Sequence, residues 1–210
     1  MSERPFRSEE EIKQSGIERA RKNDAKSDKE AGLYAQGLLE NMGLNMEDLR
    51  GKQVLDLGSG PSMVERAARN QGIEGVISLD RRLEVLSKRP EVRGGVVAKG
   101  EQMPFADETF DLVISYAGPA IIKGGAKSRE ENQNRIHKVF GEISRVLKTG
   151  GEARIAPPRL SFLADFDERV QPEDTAAVED QSTQYLKDHG IEVELGHHRN
   201  QTMRYWVLHK

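Results

Sequence analysis

The stretch Val54-Leu55-Asp56-Leu57-Gly58-Ser59-Gly60-Pro61-Ser62 constrains this chain more than any other. A short, mostly apolar run without strict polar alternation, as in a strand covered on both faces, stops at a Gly-x-Gly turn. A side chain at Gly58 or Gly60 would hold a ligand away from the backbone, and at least one of these glycines suits a positive φ. The residues beyond the turn read as a helix over 61–71, whose N-terminus carries free N–H groups. Twenty residues past Gly60 a second strand ends in Leu79-Asp80, where a carboxylate can accept from both hydroxyls of a ribose. Strand, turn, helix and acidic strand end together describe a nucleoside-type ligand at the carboxyl edge of a sheet.

The same texture continues along the chain. Short apolar runs bounded by Gly, Asp or Pro give strands at 53–57, 75–79, 95–98, 111–116 and 151–156, with helices at 61–71, 82–89, about 128–148 and 173–189. This alternation predicts a parallel sheet with crossover helices. The closing runs IEVELGHH (191–198) and TMRYWVLHK (202–210), joined by Arg199-Asn200-Gln201, read as an antiparallel hairpin. The expected architecture is therefore α/β: a Rossmann-like three-layer αβα fold whose seven-stranded, mostly parallel sheet ends in that hairpin. Residues 1–50 are polar and helical in pattern, with a capped start at Ser8-Glu9-Glu10-Glu11 and a second helix from about Asp28 to Asn41. They are expected to form an N-terminal helical cap on a domain spanning 51–210. A chain of 210 residues suits one core with such an appendage. The Pro-containing stretch 157–172 is the expected functional loop.

Composition removes several classes. The net charge of −3 gives no global attraction to nucleic acid or anionic membrane. The N-terminal MSERPFRSEEE has no apolar signal core, and no run approaches the ~18 apolar residues of a membrane span, so a soluble, cytoplasmic protein is expected. The absence of cysteine excludes disulfides, thiol catalysis and thiolate metal sites. His197 and His198 have no third histidine or carboxylate at ligand spacing, so no metal site is expected.

A nicotinamide-binding fold is the obvious rival for the glycine turn. That fingerprint needs a small third residue where Met63 stands, and Asp56, two residues before Gly58, would repel a pyrophosphate. A carboxylate there suits a ligand carrying an ammonium group. With VLDLGSGPS, ISLDRR, the run from Gly100 to Ser115 (GEQMPFADETFDLVIS) and FGEISRVLKTGG (140–151), the chain resembles the class I S-adenosylmethionine-dependent methyltransferases. Within these it is similar to the small-molecule, ubiquinone-biosynthesis C-methyltransferase-like type 11 group. The resemblance covers roughly 52–157.

It implies S-adenosyl-L-methionine as cofactor and an unidentified, small-molecule methyl acceptor, with in-line methyl transfer as the reaction. Gly58, Ser59 and Gly60 would pass beneath the methionine part, with Asp56 near its amino group. Asp80 would hold the ribose hydroxyls and Arg81 would lie beside the adenine. Lys99 stands where the family commonly has an aspartate that accepts from the adenine amino group, so Gly100 and Glu101 are the substitutes. Glu101 alternatively belongs to a solvated turn. Ser115 and Tyr116 would face the transfer site, and Arg159 is the substrate-contact candidate after the fifth strand. Tyr116 and His137 are the candidate proton-transfer groups by location. A protein or RNA acceptor, and an S-adenosylmethionine-binding module without catalysis, are the alternatives.

Overall fold

The computed structural model describes residues 28–81, 95–116, 129–156, 182–197 and 204–210. Helix α1 (Asp28–Glu40) is followed by a 3₁₀ turn (Met46–Leu49), strand β1 (Val54–Leu57), helix α2 (Met63–Asn70), β2 (Val76–Leu79) and β3 (Gly95–Val96). Next come β4 (Phe110–Tyr116), α3 (Arg129–Val146), β5 (Leu147–Ala156), a helix α4 at 182–188, β6 (Glu192–His197) and β7 (Arg204–His209). The strands form one seven-stranded sheet in the order β3-β2-β1-β4-β5-β7-β6. Strands β1 to β5 run parallel, and β7 lies antiparallel between β5 and β6. This is the expected mostly parallel sheet with a reversed hairpin at its end. The expected helix at 82–89, the start at Ser8, the loop 157–172 with Arg159, the first half of 173–189 and the hairpin turn lie outside the described residues.

Side-chain alternation divides the core into two layers. Leu55, Leu57, Val113 and Ile155 point to the face covered by α3, whose Ile136, Val139, Phe140 and Ile143 recur at helical spacing, and by Leu186 of α4. Val54, Val76, Leu112 and Ile114 point to the other face, covered by Ala35 and Leu39 of α1 and by Val64, Ala67 and Ala68 of α2. Residues 28–49 therefore complete one layer of the sandwich. Arg154 of β5 anchors them by donating from Nη1 to the carbonyls of Met42 (3.0 Å) and Gly43 (3.1 Å), while its guanidinium lies over the Tyr205 ring. Gly196, cross-strand from Tyr205, is a glycine because a Cβ there would penetrate that ring. Among the described residues no helix is long and apolar enough to cross a membrane.

Two boundaries differ from the sequence pattern. Helix α3 ends at Val146 and β5 starts at Leu147, four residues before the predicted 151, because Leu147 pairs with Phe110 across an irregularity in the β4 register. Gly150, at φ +78°, lets the strand continue through it. The third strand is shorter than 95–98, and Lys99 instead bridges to Gln102.

Candidate functional site

The parallel register brings the carboxyl ends of β1, β2 and β4 to one edge of the sheet. β1 lies between β2 and β4, so the chain order reverses beside it, which is where open α/β sheets leave a crevice. The glycine turn stands at this crevice. Gly58 and Gly60 adopt φ of +74° and +53°, a conformation that L side chains rarely take. A Cβ built on Gly60 would meet no atom within 4 Å, so the turn presents bare backbone to open space.

The turn is fastened to the second strand. The N–H groups of Gly58 (2.7 Å) and Ser59 (3.2 Å) donate to the Leu79 carbonyl, and the N–H of Gly60 donates to Oδ2 of Asp80 at 3.0 Å. Asp80 thus joins the two motifs directly. On the other side, Ser115 is fully buried and its hydroxyl donates to the Leu57 carbonyl at 2.7 Å, holding β4 to the last residue before the turn.

Asp56 points to the face shared with α2, as do its neighbour Ser78 on β2 and, on β4, Tyr116. It is 7% exposed. Burial, then the charges of Asp80 and Glu65, push its carboxyl up to about 7. Glu65, in the first turn of α2, is 5% exposed and burial raises its pKa too, against the pull of Arg69. Its Oε1 takes the Arg69 guanidinium at 2.9 Å, whereas Oε2 is buried and unbonded among the described residues. The buried hydroxyls of Ser59, Ser62 and Ser78 are likewise unbonded. A layer of acceptors and hydroxyls with this much unused capacity beneath an open glycine turn fits a ligand carrying an ammonium group and several hydrogen-bonding groups. Glu65 and Ser62 were not singled out in the sequence. A glutamate three residues into a helix is ordinary N-terminal composition, and only packing against the sheet reveals it as a buried acid.

Ser62 carries strain. It is the helix N-cap at φ +54°, makes no capping bond with its side chain, and is fully buried. Ser62→Gly should stabilise the ligand-free protein by about 1 kcal/mol, the left-handed cost for an L-residue less the extra flexibility of glycine in the unfolded chain. Thermal unfolding should then move up by about 2–4 °C; a fall would show that the hydroxyl supports the turn.

The remaining candidates separate into distinct places. Gly100 packs against Val139 and Leu57, and Glu101 pairs with Arg135 of α3 at 2.9 Å, so its carboxylate is engaged and not simply solvated. Arg81 is exposed at the end of β2. Tyr116 is bonded to Asn41 and close enough to Tyr34 of α1 for the two phenols to interact; burial, then Tyr34, raises its pKa against that bond. His137 faces α4, with its ring stacked on Tyr185 at 4.3 Å and bonded to Gln133 at 2.8 Å; burial, then His189, lowers its pKa. Arg159 and His198 are outside the described residues, and among the described residues no group of three or more side chains converges as metal ligands.

The third and fourth motifs meet in a clamp. Arg145 of α3 bonds bidentately to Glu142 (2.7 and 2.9 Å) and reaches the carbonyls of Phe105 (2.7 Å) and Met103 (3.1 Å) and the Asp107 carboxylate (2.8 Å). Glu142 accepts in turn from the Met103 N–H at 2.6 Å. The Glu-x-x-Arg spacing on one helix face holds the 103–107 turn, which follows directly on Gly100 and Glu101.

A family model described as a methyltransferase domain matches residues 55–155. Residues 55–155 belong to that methyltransferase family. Its expected cofactor is S-adenosyl-L-methionine, and residues 55–155 form the methyltransferase domain, on the class I fold. Solved structures share the fold. A candidate S-adenosyl-L-methionine-dependent methyltransferase of Methanococcus maripaludis is 15% identical, aligned over 100% of this chain and 97% of that one, with a TM-score of 0.56. A candidate methyltransferase of Haloferax volcanii, solved with the Trm112 methyltransferase activator, is 16% identical over 97% and 98%, TM-score 0.58. An S-adenosylmethionine-dependent methyltransferase of Aquifex aeolicus is 16% identical over 91% and 96%, TM-score 0.54. No curated protein sequence matches the chain.

Proposed function

We propose that the glycine turn and the acids around it hold S-adenosylmethionine for methyl transfer to a small-molecule acceptor. The observation that carries this reading is the bond from the Gly60 N–H to Asp80, which sets the open turn and the acidic strand end side by side. Asp56 takes the amino group, Gly58, Ser59 and Gly60 lie under the methionine chain, Asp80 accepts from the ribose, and Arg81, Gly100 and Glu101 border the adenine. Ser115 supports the turn through Leu57. α1, with Tyr34 beside Tyr116, forms the inner part of the N-terminal cap over the site.

The bound cofactor supplies an electrophilic methyl group on a sulfonium. The protein's task is then to align the acceptor, a contribution that can reach about 7–11 kcal/mol without covalent catalysis. Tyr116, a phenol protonated at neutral pH and held further from ionisation by burial, orients the acceptor by hydrogen bonding. A base is required only if the acceptor arrives protonated, and His137, turned toward α4, is assigned no such part. The acidic net charge favours a small acceptor over RNA.

Calorimetry with S-adenosylmethionine and NADH tests the cofactor site; tight NADH binding without any response to S-adenosylmethionine would overturn the reading. The pH dependence is diagnostic. With Asp56 at about 7 in the free protein against an ordinary 3.8, the native state holds the extra proton between these values. The contribution of Asp56 to the stability of the free protein should therefore be full below about pH 4, be lost as pH rises toward 7, and level off above it, by at most ~1.4 kcal/mol per pH unit, and is read as the difference between the protein and Asp56→Asn. An ammonium beside Asp56 favours the ionised form, so affinity for S-adenosylmethionine should rise up to about tenfold per unit between pH 5.5 and 7 and then flatten. A pH-independent affinity across that interval would remove Asp56 from the ammonium site.

A further inference from the structure

We infer that Glu65 is a second ammonium-binding carboxylate of the cofactor site, paired with Asp56 across the interface between α2 and the sheet; this rests on the cofactor reading above. Three observations converge. Glu65 lies in the first turn of the helix that follows the glycine turn, is buried, and has one carboxylate oxygen bonded to Arg69 and the other unbonded among the described residues. Its charge reaches Asp56, which shares the same face of the sheet. Among the described residues the fully buried hydroxyls of Ser62 and Ser78 are also unbonded, at the helix cap and directly beside Asp56 in the β1–β2 register.

A buried carboxylate oxygen without a partner is costly to keep, and a lone one would ordinarily be replaced by an apolar or amide group. Arg69 balances the charge of Glu65, and Asp80, with Asp56 once it ionises, adds to the negative charge around it. An ammonium has three donors and one positive charge, enough to satisfy Asp56 and the open oxygen of Glu65 together, with a serine hydroxyl as third acceptor. Two acids in place of one make the recess selective for ligands that carry the amino group over those that share only the nucleoside end.

The test is calorimetric titration of the full chain and of Glu65→Gln with S-adenosylmethionine, S-adenosylhomocysteine and 5′-methylthioadenosine, the last lacking the amino-acid part. Glu65→Gln preserves shape and can still accept from Arg69. It should weaken the first two ligands by about tenfold or more and leave methylthioadenosine within about twofold. Glu65→Asp, which keeps the charge but withdraws it by one methylene, should give the same pattern with a smaller loss and serves if the glutamine variant does not fold. Equal weakening of all three ligands would make Glu65 a support of the turn only, and unchanged affinities would exclude it; either overturns the inference. Failure of the unsubstituted chain to bind S-adenosylmethionine would overturn the cofactor reading itself, and the inference with it.

Discussion

Arg145→Ala should lower stability by about 2–4 kcal/mol and the unfolding temperature by roughly 5–15 °C. The substitution deletes bonds to two carboxylates and two backbone carbonyls at once, and leaves the Met103 and Phe105 carbonyls and one side of Glu142 without their donor. The guanidinium is about a third exposed, so water recovers part of the loss and keeps it below the range for a fully buried pair. Arg145→Lys should restore less than half, because an ammonium cannot match the fork that spans Glu142 and the turn together. The measurement is denaturant or thermal unfolding of the three proteins. A loss under about 1 kcal/mol for Arg145→Ala would mean that burial of Met103 and the edge-on packing of Phe105 against Phe110 hold the turn without the clamp.

Asp80→Ala should reduce affinity for S-adenosylmethionine by about 30-fold to several hundred-fold, the equivalent of roughly 2–4 kcal/mol for two charge-assisted bonds to the ribose. Because Asp80 also accepts from Gly60, part of that loss would come from loosening the turn. Asp80→Asn separates the contributions: its amide oxygen can still accept from Gly60, so the turn stays in place while the charge is gone. The asparagine variant should retain near-native unfolding and lose at least tenfold in affinity. Unchanged affinity in both variants would take the ribose away from Asp80.

Much of the scaffold was legible because it is written in local preferences. The mostly apolar run of β1, the paired glycines after it and the helical spacing of Ile136, Val139, Phe140 and Ile143 each act over a few residues, and the described element limits fall within four residues of the expected ones. Family motifs gave the order of the parts. The pairings did not follow from spacing. Glu101 was open between an adenine contact and a solvated turn until α3 brought Arg135 to it, 34 residues on. Ser115 was expected at the transfer site, and its hydroxyl is given to Leu57 across the sheet. The Glu-x-x-Arg run read as a family signature, while its physical task, gripping the backbone at 103–107, depends on a turn about 40 residues earlier.

The acids show the same division most sharply. The sequence alone determined that Asp56, Asp80 and the glycines gather at the carboxyl edge of the strands, since strand ends and positive-φ turns expose backbone and carboxylates wherever they occur. Only the tertiary structure decided that Asp80 accepts from Gly60, that Glu65 is buried, and that burial, then the charges of Asp80 and Glu65, pushes the Asp56 carboxyl up to about 7. Backbone preference and periodicity are properties of neighbouring residues, whereas desolvation and charge coupling arise when packing removes water from between segments that are distant in the chain.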